Sequence, residues 1–99
     1  VGYNAGLSVT TGTLNTIVGA LAGDALTTGG NNVAIGYVAG GAMIESDNNV
    51  AIGINALKVE THGNRTVAIG SNALISQVNS GGEDVYNVAV GYNAGFSVT

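Results

Sequence analysis

A four-residue phrase, Val-Ala-Ile-Gly, recurs without change at 33–36, 50–53 and 67–70, and this repetition constrains the chain more than any other feature. Close variants are Thr-Ile-Val-Gly at 16–19 and Val-Ala-Val-Gly at 88–91, and the chain opens on Val1 and Gly2. The motif glycines are therefore Gly2, Gly19, Gly36, Gly53, Gly70 and Gly91, spaced by 17, 17, 17, 17 and 21 residues. A fixed period of this length marks a stacked repeat architecture in which each unit contacts chiefly its neighbours. The longer last gap places a four-residue insertion within 80–86.

Other positions keep the same period. Three residues beyond each motif glycine stands alanine: Ala5, Ala22, Ala39, Ala56, Ala73 and Ala94. Four before it stand Asn15, Asn32, Asn49, Thr66 and Asn87, and two after it Asn4, Asn55, Asn72 and Asn93, with Leu21 and Val38 as exceptions. A 17-residue unit is too short for a helical hairpin. β-Branched residues flanked by Asn and Gly read as a strand of about four residues bounded by turns. Each unit is thus one coil, and residues 1–99 form a single all-β domain, a parallel β-solenoid. Stacked at ~4.8 Å, five periods rise roughly 25 Å and predict an elongated rod. Asparagine above asparagine is expected to exchange side-chain amide hydrogen bonds, while Tyr3, Tyr37 and Tyr92 share a column interrupted by Ala20, Ile54 and Ser71. The motif glycine supplies the backbone freedom of a sharp corner, and no strand–loop–helix context supports a phosphate-binding loop. Val1 stands in mid-motif and neither end carries an atypical capping unit, so the chain is expected to belong to a longer protein.

Composition removes several function classes. Charged residues make up 8% and hydrophobic residues 45%, outside the regime of disordered chains. A net charge of −4 with only Lys58 and Arg65 as cations argues against nucleic-acid binding, which needs several phosphate contacts. Cysteine is absent, excluding disulfides and thiolate metal sites, and no apolar run of ~18 residues suggests membrane insertion.

Alternation along a strand sends Val33 and Ile35 to one face and Ala34 to the other, so both faces of the repeated strand are apolar. Strands apolar on both faces are buried on both, and a solenoid has one interior. Another chain is therefore expected to cover the second face. If the two large positions per rung faced outward over five rungs, their full burial would contribute at most roughly 15–30 kcal/mol. Alternation alone leaves open whether the Val/Ile face or the Ala face lines the coil.

The phrase Asn-Val-Ala-Ile-Gly, followed by Tyr, Ile or Ser and then Asn-Ala-Leu or Asn-Ala-Gly, resembles the repeat shafts of phage tail-fibre proteins, and the 17-residue period fits that group. It is also similar to the heads of trimeric autotransporter adhesins, left-handed parallel β-rolls with usually shorter coils. The resemblance covers the whole chain and implies left-handed coils, a homotrimer, surface exposure and a role in attachment. Thr16-Ile17-Val18 departs from the pattern by breaking the alanine rung, and the insertion within 80–86 is expected to bulge outward as a loop.

Individual residues suggest little chemistry. His62, the one histidine, lies in a turn-like phase beside Gly63 and is expected to be an exposed, solvated side chain. Glu45 with Asp47, and Glu83 with Asp84, fall in the most variable parts of their coils and read as solvated surface. Gly81-Gly82-Glu83-Asp84 offers oxygen ligands for calcium without the Asp-rich period of calcium-binding β-rolls. An ice-binding threonine lattice begins at Thr10-Thr11 and Thr27-Thr28 but fails at Ile44-Glu45, Thr61-His62 and Val78-Asn79. Tyr86 and Phe96 are aromatic candidates for sugar contact, although single exposed aromatics are common. No catalytic, metal or cofactor site is expected. The function implied is a structural or adhesive fibre segment, foremost a phage tail-fibre shaft in the virion, with a bacterial surface adhesin as the alternative. Its partners would be two further copies of itself, with any host glycan or protein receptor bound through other regions.

Overall fold

The computed structural model describes residues 1–79 and 81–99. Ser80, the first residue of the predicted insertion, lies outside the described residues. Five short strands follow in chain order: β1 (Thr16–Val18), β2 (Val33–Ile35), β3 (Val50–Ile52), β4 (Val67–Ile69) and β5 (Val88–Val90). They form one parallel sheet in the order β1-β2-β3-β4-β5, and every motif residue pairs with its counterpart one period on. The fold is a β-solenoid of about four turns with a 17-residue period. Each strand has three residues rather than the expected four, because the motif glycine has already left the strand. The principal extents are 31 × 26 × 16 Å. At this length the stack is therefore a flattened block, not the elongated rod predicted, since the coils are about as wide as the stack is tall.

Which face lines the coil is now determined. Ala34, Ala51 and Ala68 are fully buried and Ala89 nearly so, whereas Val33, Ile35 and their equivalents point outward and stay half-exposed, rising to 72% at Val88. Opposite the strand alanines sit Ala22, Ala39, Ala56 and Ala73, and the remaining space is filled by Leu26, Met43, Leu57 and Leu74. The small strand residue has a steric reason: the coil is narrow, and the large side chains of the facing turn already occupy its centre. Ile17 takes the inward position in β1, where the others have alanine. It is accommodated because Gly6 and Gly23 leave room, a Cβ at either lying 3.1 and 3.4 Å from Ile17 Cδ1.

The motif glycine is required twice over. Gly36 has φ +125°, a conformation side chains rarely adopt, and a Cβ there would lie 2.8 Å from the carbonyl carbon of Gly53 in the next coil. Gly53 stands in the same relation to Gly70 at 2.6 Å. Two positions on, the chain again turns through positive φ, at Asn4, Asn55, Asn72 and Asn93 but also at Leu21 and Val38 (φ 59°). Asparagine is the side chain best suited to that region, and a β-branched valine is strained there.

The two asparagine columns behave differently. Asn55, Asn72 and Asn93 form the expected amide ladder, Asn55 Nδ2 donating to Asn72 Oδ1 and Asn72 Nδ2 to Asn93 Oδ1. The column before the strand does not pair amide to amide. There Asn32 Oδ1 accepts from the backbone N–H of Asn49 at 2.9 Å while Asn32 Nδ2 donates to Ser46 O at 2.7 Å, and Asn49 treats Thr66 N and Gly63 O in the same way. Each buried carboxamide thereby satisfies one N–H and one C=O of the next coil, groups that would be costly to bury unpaired.

Candidate functional site

The regular surface is interrupted where the insertion departs. The 17-residue register holds as far as His62 N donating to Asn79 O; Asn64 then bridges to Asp84, a spacing of 20, and Val67 pairs with Val88, a spacing of 21, so three of the four extra residues are taken up between Asn79 and Asp84 and the fourth between Asp84 and Val88. Residues 81–84 are exposed. The loop's far side is anchored through Asn64, whose N–H donates to Glu83 O, whose C=O accepts from Val85 N, and whose Nδ2 donates to Gly82 O. Arg65 pairs with Asp84 and donates to Tyr86 Oη, and its guanidinium lies 5.7 Å from the centre of the Tyr86 ring. The Tyr86 hydrogen bond first, then the Asp84 charge, raise the Arg65 pKa, so the guanidinium stays charged.

The near side of the loop rests on a group the sequence reading did not single out. Glu60 is fully buried and faces five N–H donors. Its Oε1 accepts from the backbone of Thr61, Gly63 and Asn79 at 2.8–3.0 Å, and its Oε2 from Gln77 Nε2 and Asn79 Nδ2 at 2.8 Å. Burial is the largest influence on this carboxyl and disfavours its charge, but the bonds from Asn79, Gln77 and Gly63 together outweigh it and hold the pKa below the usual value. Gln77, also buried, continues the network to Thr66 Oγ1 and accepts from Asn87 Nδ2. It bridges the place where Thr66, lacking a carboxamide, breaks the buried asparagine column.

Between loop and stack lies an open concavity of about 460 Å³ lined by Glu45, Asp47, His62, Asn64, Gly81 and Gly82. His62 is half-buried rather than exposed as expected. Its Nδ1 is the one buried side-chain polar atom among the described residues without a hydrogen-bond partner. Of the two carboxylate pairs, Glu45 is exposed, Asp47 accepts from Gly30 N at 2.7 Å, Glu83 accepts from Gly81 N, and Asp84 is engaged by Arg65. Among the described residues no group of three or more His, Cys, Asp or Glu side chains is placed to hold a metal ion.

The remaining sequence candidates are dispersed. Thr10, Thr27 and Thr61 donate their hydroxyls to Thr27 O, Ile44 O and Asn79 O of the next coil, which ties up donors a hydrated threonine lattice would need. Tyr3, Tyr37, Tyr92 and Phe96 are exposed, and none of them lines the concavity. Among the described residues no helix is long and apolar enough to cross a membrane. No family model, curated protein or solved structure matches the chain.

Proposed function

We propose that the chain is a non-catalytic structural segment of an attachment fibre, a left-handed β-solenoid shaft of the phage tail-fibre kind that assembles as a homotrimer on the virion. The observation that carries this reading is the outer face of the sheet. Nine of its ten outward strand positions are Val or Ile, the exception being Thr16. Parallel sheets are normally covered on both faces, and this one is covered by its own coil on the alanine face alone. Neighbours in each column already shield part of these side chains, so covering the remainder is worth roughly 1 kcal/mol apiece, on the order of 9 kcal/mol per chain. That is comparable to the cost of holding copies together. Tyr37 and Ile54, 52% and 53% exposed, widen the same stripe. The mechanism is mechanical: in-register coils resist bending, and oligomer burial converts a flat block into a stiff shaft that holds a receptor-binding region away from its anchor.

The test is a triple substitution of outward residues, Ile35→Ser, Ile52→Ser and Ile69→Ser, followed by sedimentation equilibrium and circular dichroism. The parent is expected to sediment as a trimer and the variant as a monomer that keeps its β-signal. A variant that stays trimeric, or a parent that sediments as a monomer, defeats the reading.

A further inference from the structure

We propose that Glu60 is a proton-operated latch that docks the near end of the 81–84 loop onto the coil stack. Asn79, the residue before the insertion, is held by Glu60 through both its backbone N–H and its side-chain amide. The far end of the loop is fastened independently by Asn64 and by the Arg65–Asp84 pair. Loss of the Glu60 bonds leaves Asn79 tied to the stack through its carbonyl, which accepts from His62 N and Thr61 Oγ1, and so loosens that side of the loop and the concavity that Gly81 and Gly82 help to line.

The cage is made only of donors. Five N–H groups converge on the two carboxylate oxygens, so a proton added to either oxygen would meet a donor and displace a hydrogen bond. Among the described residues no cation pairs with Glu60. On its own turn Glu60 contacts Thr61 and Gly63, and on the following turn Gln77 and Asn79, none of them titratable. In the preceding turn the equivalent position is the buried, uncharged Met43. Of the charged groups nearby, Lys58 is exposed, Glu45 and Asp47 line the concavity at the surface, His62 belongs to its wall, and Arg65 is engaged with Asp84. The folded carboxyl is held below the ordinary glutamate value of 4.5 by the bonds it accepts. Its contribution is therefore fully present above pH 4.5 and is lost as pH falls through the lower folded value.

Hydrogen exchange of the chain between pH 6 and pH 3, corrected for intrinsic rates and read by mass spectrometry, tests the latch. Protection of the Gly63 and Asn79 amides is expected to fall at least tenfold in acid while that of β2 persists. Glu60→Gln, which places an amide donor among the donors, is expected to lower protection at Asn79 at both pH values and to remove the acid step. Should that variant fail to fold, the parent profile decides alone. Protection at Asn79 that is unchanged at pH 3, or that falls together with that of β2, overturns the latch.

Discussion

The turns that follow β1 and β2 and those that follow β3 and β4 trace the same backbone path with opposite interior chemistry. In the first pair the fourth residue after the motif glycine is Gly23 or Gly40, and the seventh is an aliphatic filler, Leu26 or Met43. In the second pair the fourth residue is Leu57 or Leu74, and the seventh is Glu60 or Gln77. The exchange conserves volume: a Cβ on Gly40 would lie 2.4 Å from Met43 Cε, so glycine and filler belong together, and where leucine occupies the corner the seventh residue is released for polar work. The second residue divides the same way, Leu21 and Val38 against Asn55 and Asn72, all four at positive φ. One backbone thus carries two interiors, and the polar one lies where Thr66 breaks the asparagine column and the insertion breaks the register.

The largest effect is expected from forcing the first interior on the second. Glu60→Leu strands three backbone N–H groups and two side-chain amides and should cost about 5 kcal/mol in urea denaturation, at ~1–3 kcal/mol per buried unpaired group. Met43→Leu, in the apolar interior, should cost under about 1.5 kcal/mol. Equal costs at the two positions would erase the distinction.

Leu57→Ala should cost about 3 kcal/mol as a buried truncation. Leu57→Gly, although it removes one more carbon, should cost about 1 kcal/mol less, because Leu57 has φ 53° and glycine relieves that conformation. Reversal of that order would mean the corner is not strained. Asn49→Ala should cost about 2 kcal/mol by leaving Thr66 N and Gly63 O unpaired inside the coil. Smallest is Val38→Asn, expected to stabilise by about 1 kcal/mol, since asparagine tolerates the left-handed region and would extend the Asn55–Asn72–Asn93 ladder by one rung.

Much of the architecture was legible in the residues. The 17-residue spacing, the alanines and the motif glycines specify parallel strands stacked one per coil, because only a repeating backbone makes the same demand at the same phase. The inward face was not legible from strand alternation, which separates Val33 and Ile35 from Ala34 without saying which is inside. What decides it is the facing turn, where Met43, Leu57 and Leu74 fill the narrow coil and leave space only for alanine in β2 to β4. Glu60 is hidden for a related reason: it stands out only as a member of the column Val9, Leu26, Met43, Glu60, Gln77 and Val98, in which an abrupt change from apolar to polar coincides with the change from Gly40 to Leu57. His62 is half-buried, contrary to the reading of its turn-like phase, and shares a concavity with Glu45 and Asp47 and with Gly81 and Gly82, residues distant in the chain.

The central claim is that the outward Val/Ile face is covered by further copies of the chain. Its most direct test is the mass of the 9.7 kDa segment in solution by light scattering, with circular dichroism on the same sample. A mass three times that of the chain, with a β-signal, is the predicted result. A well-folded species of 9.7 kDa would contradict it and show that the sheet tolerates a bare outer face.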